Sequence, residues 1–150
     1  MEVNSQELIA ILKNKIALYE HLGITVEDIS ASRVRFKVSL EKNRNHKGTA
    51  FGGSLYASGV LAAYALALAG LKAQQIPTEN IVIAKGEIQY LRPVETDFEV
   101  VSEFRSPQEQ EDFYKTLKDT GRVRGMIRTQ ILGEGGSLKA SLLGDFVVKL

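Results

Sequence analysis

Asn45-His46-Lys47-Gly48-Thr49-Ala50-Phe51-Gly52-Gly53-Ser54-Leu55 opens a run with no charged residue between Gly48 and Leu71. Its most apolar part, Leu55 to Leu71, is interrupted by Ser58, Gly59, Tyr64 and Gly70, and lies at the short end of what crosses a bilayer. The rest of the chain reads as amphipathic strands that need an apolar partner. A helix from about Ser54 to Leu71, buried on all sides, satisfies both facts, and Pro77 rules out its continuation. No membrane association is expected.

Outward from this helix, the chain is organised by period. Before it, Asn4 and Glu7 are spaced as a capping pair, with Leu8, Leu12, Ile16 and Tyr19 on one helical face and Gly23 as a stop. A short apolar stretch through Ile24, Val26 and Ile29 leads to a half-buried strand. There Val34, Phe36, Val38 and Leu40 alternate with Arg33, Arg35, Lys37 and Ser39. After the helix, Ile81 to Leu91 reads as a strand ended by Pro93, and Phe98, Val100 and Phe104 alternate with Glu99 and Glu103. Gly121 to Leu132 and Leu138 to Leu150 flank Gly135-Gly136 and read as a hairpin. Pro107 to Thr120 is polar, acidic and without clear period, which predicts an excursion loop or short helix. The sum is one domain over 1–150 of the α+β class: an antiparallel sheet covering a long apolar helix, with an additional N-terminal helix.

Composition excludes several functions. Nineteen basic residues against 18 acidic ones leave a net charge of +1, so nothing draws the chain to nucleic acid. With no cysteine there is no disulfide, no thiolate nucleophile and no cysteine-ligated metal. The polar, acidic Met1 to Glu7 is unlike a signal peptide, which predicts a cytoplasmic location.

The order of elements, together with Asn45 to Leu55, resembles the hotdog-fold thioesterases, whose sheet wraps a central helix that begins at a similar Gly-Gly. Ile88-Gln89-Tyr90-Leu91-Arg92-Pro93-Val94 resembles their strand after that helix. Among them the chain looks most like the YiiD C-terminal-like family, also found as the C-terminal part of an acetyltransferase fusion. The resemblance covers nearly the whole chain. It implies an acyl thioester substrate, with coenzyme A or phosphopantetheine as part of the substrate and no separate cofactor or metal. An acyl carrier protein is the implied alternative carrier. It also implies pairing of sheets edge to edge into a homodimer or dimer of dimers, with each site shared between two chains. The apolar run Ile81 to Ala84 fits such a covered strand, and Tyr56 or Tyr64 is expected at the contact.

Thioester hydrolysis requires stabilisation of the carbonyl oxygen as it becomes an anion, and a helix N-terminus offers free N–H groups with a favourable dipole. Gly52 and Gly53 are placed to supply them, since glycine lets a ligand approach the backbone. The alternative is a plain tight turn. Water must also be oriented or deprotonated, and here the sequence departs from better-known relatives: the helix has no acid before Lys72, and Asn45 stands where the Asp-x-x-Gly enzymes have their aspartate. Asn45 can orient water, His46 can also take its proton, and Ser54 reads as a helix-start residue rather than a nucleophile. Gly48, Thr49 and Phe51 in the loop, Ser58 on the helix, and Tyr90 and Arg92 beyond it are the expected substrate-binding residues. Phe51 reads either as a wall of the acyl tunnel or as core. Arg92 and the face of Arg122, Arg124 and Arg128 are candidate phosphate anchors. Three functions fit: a thioesterase using water, a non-catalytic acyl-thioester binder that lost the acid, and a hydroxyacyl-thioester dehydratase, which would need a carboxylate beside His46.

Overall fold

The computed structural model describes residues 3–150. Asn4 caps the first helix by accepting the Glu7 N–H at 3.1 Å, and α1 (Ser5–Lys15) buries Leu8 and Leu12. Ile16 then turns extended, and a 3-10 turn over Ala17–His21 carries Tyr19 into the core. Four apolar residues expected on a single helix are thus delivered by a helix and a tighter turn. Gly23, at φ +66°, turns the chain into β1 (Ile24–Ile29), which pairs with β2 (Val34–Val38).

The remaining elements are α2 (Gly52–Ala73), β3 (Asn80–Tyr90), β4 (Phe98–Glu103), α3 (Pro107–Thr120), β5 (Arg122–Leu132) and β6 (Leu138–Lys149). The six strands form one sheet in the order β1-β2-β4-β5-β6-β3, with every neighbouring pair antiparallel. β5 and β6 form the expected hairpin. α2 touches all six strands and is the buried core helix. This is the sheet wrapped around a helix that the resemblance implies. The helix starts two residues earlier than the apolar run suggests, because the glycine pair forms its first turn instead of preceding it.

Small residues bring α2 and the sheet together. At Gly59 a Cβ would lie 2.9 Å from Leu142 Cδ2, and the Gly59 carbonyl accepts from the buried Thr129 hydroxyl at 3.4 Å. Thr129 in turn pairs with Ser102 at 2.6 Å, so the buried hydroxyls of β4 and β5 are satisfied against the helix.

Of the excursion loop and short helix expected between Pro107 and Thr120, the helix is present. Pro107–Thr120 is a full 14-residue α-helix, capped by Ser106, whose hydroxyl accepts from Glu109 N–H at 3.1 Å, and ended at Gly121 with φ +79°. Its apolar stripe is only Phe113, Tyr114 and Leu117, too short to stand out against eleven other residues. Those three reach the core: Tyr114 donates to the Ala67 carbonyl at 3.2 Å, its phenol pushed up by burial, and occupies the space a side chain at Gly70 would need. β3, whose run Ile81 to Ala84 suggests a strand covered on both sides in a pair of chains, is an edge of the sheet in the single chain, with Val82 56% exposed. A register shift between Ile83 and Lys85 inserts Ala84 as an extra residue, so part of the apolar run reflects a bulge.

Candidate active site at the start of the central helix

The loop before α2 is held from beneath by Asn43. Its buried side-chain Nδ2 donates to the carbonyls of Leu22 and Ser39, both at 2.7 Å, while the Asn43 backbone carbonyl accepts the Phe51 N–H at 2.7 Å. Nothing in the sequence singles out a lone asparagine two residues before Asn45. Asn45 then closes the loop on itself: its Oδ1 accepts from Lys47 N–H at 2.9 Å and Thr49 N–H at 3.1 Å, and its Nδ2 donates to Thr49 Oγ1 at 2.8 Å. Gly48, at φ +79°, makes the turn. The Asn45 amide is therefore largely spent on shaping the loop, with one N–H left over.

Phe51 is the N-cap of α2 and provides no side-chain cap. Its carbonyl takes the N–H groups of Ser54 at 2.9 Å and Leu55 at 3.2 Å. The amides of Gly52 and Gly53 have no acceptor among the described residues. They lie at the positive end of a 22-residue helix. Tyr90 fixes this turn from β3 by donating its hydroxyl to the Gly52 carbonyl at 2.8 Å. Burial first, and the neighbouring Tyr56 second, raise the Tyr90 phenol above its usual range, so it remains a donor at neutral pH. A cleft of about 350 Å³ opens here, lined by Thr49, Ala50, Gly52, Leu55 and the segment from Tyr90 to Val94.

The expected residues divide clearly. Gly52, Thr49, Tyr90 and Arg92 line the cleft, and Gly53 shares the free turn. Phe51 is 57% exposed, which removes the core reading; its ring covers Gly53, where a Cβ would meet Cε2 at 2.5 Å. His46 and Gly48 sit exposed in the loop outside the cleft lining. Ser54 is half-buried in the first turn of the helix. Ser58 is fully buried and donates to the Leu55 carbonyl at 3.2 Å, so it offers no surface to a ligand in this chain. Of the candidate arginines, Arg92 alone lines this cleft. Arg122 and Arg124 line a larger hollow of about 780 Å³ between α3 and β5, where Arg124 is paired with Asp145 at 2.7 Å. The cleft lining contains no carboxylate and no histidine among the described residues.

The family described as "Putative thioesterase (yiiD_Cterm)" matches residues 5–150. The chain belongs to that family. No curated protein matches it. Among solved structures, a protein of unknown function from Chlorobaculum tepidum superposes with a TM-score of 0.88 at 21% identity, over 97% of this chain and 93% of that one. A "putative thioesterase" from Shewanella oneidensis gives 0.84 at 21% identity, over 97% and 96%. A "probable thioesterase" from Pseudomonas aeruginosa gives 0.82 at 18%, over 99% and 97%. At these identities the likeness shows the fold, which is the hotdog fold.

Three substitutions probe the site. Gly53→Val places a β-branched side chain where the Phe51 ring lies and should abolish activity in a protein that stays folded by circular dichroism. Retained turnover would remove the Gly53 amide from the mechanism. Asn45→Asp keeps an oxygen for the Lys47 and Thr49 amides and can accept the Thr49 hydroxyl, so melting should show a stability change below about 1 kcal/mol. Asn45→Ala loses all three bonds and should cost about 1–3 kcal/mol.

Proposed function

We propose that this protein is a thioesterase that hydrolyses an acyl thioester by attack of water, with the Gly52 and Gly53 amides as the oxyanion site. The observation that carries this reading is the pair of free amides at the start of α2, beside a cleft and held in place by Tyr90. The family supports hydrolase chemistry at a coarser level.

A substrate carbonyl seated against these amides would gain stabilisation as charge develops, and removing one such donor typically costs about 3–4 kcal/mol of transition-state energy. Arg92 is the group suited to a phosphate of coenzyme A or of a carrier-linked pantetheine, through its bidentate fork. Asn45 holds the loop, and its remaining N–H is the contact through which it would orient water. His46 is the loop's candidate base.

The site is proposed to be completed by a second copy. β3 is an edge with Val82 exposed, and the neighbouring face of α2 leaves Tyr56, Ala57, Val60 and Tyr64 half-buried. Pairing two chains there would cover both features and bring a second chain against the cleft mouth. The non-catalytic binder is the second reading, favoured by the cleft's lack of any carboxylate or histidine among the described residues.

A panel of acyl-CoA esters assayed for released thiol, with binding measured in parallel, separates the two: turnover is expected, and binding without turnover selects the binder. Light scattering at micromolar concentration is expected to give at least a dimer mass. A monomer with full activity would overturn the shared site.

A further inference from the structure

The hollow between α3 and β5 coincides with an interruption of the sheet. β4 pairs with β5 only from Glu99 opposite Leu132 to Glu103 opposite Arg128, whereas β6 follows β5 down to Arg122. From Arg122 to Ile127, β5 therefore has a strand on one side and none on the other. Two bonds at its start fix the direction of its backbone groups. Leu150 N–H donates to the Gly121 carbonyl at 3.0 Å, so by the two-residue period Val123, Gly125 and Ile127 turn their N–H and C=O groups toward β6. Arg122, Arg124 and Met126 turn theirs the other way, and the Arg122 carbonyl there accepts from the Thr120 hydroxyl at 2.8 Å. The N–H and C=O groups of Arg124 and Met126 have no partner among the described residues. A row of such groups is a template for another strand.

The hollow, of about 780 Å³, lies beside these groups. α3 borders it with Glu109, Asp112, Thr116 and Thr120, one stripe at three- and four-residue spacing. Along β5 it extends from Arg122 to Met126, about 13 Å at the rise of a strand. Phe104 and Phe113 give it an apolar floor, their ring centres 5.3 Å apart, and Phe113 takes the space that a side chain at Gly125 would need. Its acids are engaged: Glu109 with Arg105 at 2.9 Å, Asp112 with the Gln108 amide at 2.9 Å, and Asp145 with Arg124 at 2.7 Å. Arg122 instead faces Lys149 across the β5–β6 ladder. Both are exposed, and neither has an ion pair among the described residues. Like charges directly opposite each other are destabilising, and a carboxylate beside them would relieve that.

We propose that this hollow docks an extended, acidic segment of a partner protein, which adds a short strand to the free edge of β5. Donors and acceptors that repeat at every second residue are matched by the backbone of another extended chain. In line with β4, the segment runs antiparallel to β5. Its residues opposite Met126, Arg124 and Arg122 bond to the ladder and share the outer face of the sheet with those side chains. Its residues opposite Gly125 and Val123 point to the floor of Phe104 and Phe113 and are apolar. The residue opposite Arg122 carries the carboxylate, next to Arg122 and Lys149. None of these groups belongs to the cleft at the start of α2, so the docking site stands apart from the thioester reading.

The probe is the peptide acetyl-Thr-Val-Thr-Val-Glu-amide, with binding to the full chain read by amide NMR and hydrogen exchange. In the free protein the Arg124 and Met126 amides are expected to exchange faster than those of Val123, Gly125 and Ile127, which face β6. Millimolar peptide is expected to shift and protect the two open amides. A lysine in place of the peptide's glutamate, and separately Arg122→Glu, are each expected to weaken binding about 10-fold, the loss of one charge-assisted bond. Met126→Pro removes an N–H that makes no bond in the fold, so it is expected to stay folded and to lose the peptide. If that variant unfolds, a peptide N-methylated at its central threonine applies the same test from the other side of the ladder and is expected not to bind. Slow exchange of Arg124 and Met126 in the free protein overturns the proposal, as does a lack of protection by the peptide. Equal binding of the N-methylated peptide, or of the glutamate and lysine peptides, overturns it too.

Discussion

An uncharged helix is the constraint on which everything else depends. Thirteen of the residues of α2 are buried, from Leu55 to Leu71, and nothing on the helix before Lys72 can be turned to water as a charge. Such a helix is stable in water only if a second layer removes nearly its whole circumference from solvent. A single sheet can do so by curving until every strand touches it, and this one does. Glycine and alanine on the helix set the closeness of that contact: Gly59 admits Leu142, and Gly70 admits Tyr114 from α3. Replacing those hydrogens with larger groups would push the layers apart, since well-packed cores yield little to added volume.

Wrapping has a consequence at the helix start. A sheet can satisfy the sides of a helix but not its first turn, whose N–H groups point along the axis. Most helices settle this with a side-chain cap, as α1 and α3 do with Asn4 and Ser106. α2 has Phe51 at that position and two glycines after it, so its amides stay uncapped beside a cleft. The fold thus leaves polar groups open where a cleft and a positive helix end meet.

How much of this could be read from the sequence follows from the length of each signal. The long apolar run and the two-residue alternations of β2, β5 and β6 extend over many residues, so helix, sheet and hairpin were legible. α3 was legible only as one of two alternatives, because three apolar residues in 14 leave little period to detect, although Ser106, Pro107 and Glu109 do spell its start. The glycine pair at the start of a helix, with Arg92 at a nearby strand end, was legible because these are short-range features of one loop and one strand end. Asn43 and the match of Tyr56 to Gly86 were not: each joins residues far apart in sequence, and only the register of α2 on β3 gives them meaning. A glycine inside a strand signals close approach by something, but the sequence does not say by what.

The chemistry that such a site can support depends on what is missing from it. A carboxylate in the first turns of the helix would lower the cost of deprotonating water, and this helix carries none before Lys72. Tyr90 offers the opposite balance. Its neutral phenol hydrogen-bonds the Gly52 carbonyl and adds no charge beside the amides. The helix start therefore offers open N–H donors and a neutral phenol, and the cleft lining holds no carboxylate or histidine among the described residues. Open amides at a positive helix end favour negative charge seated against them, and under the proposed thioester reading the nucleophile would come from solvent, since Asn45 and His46 lie in the loop outside the cleft lining.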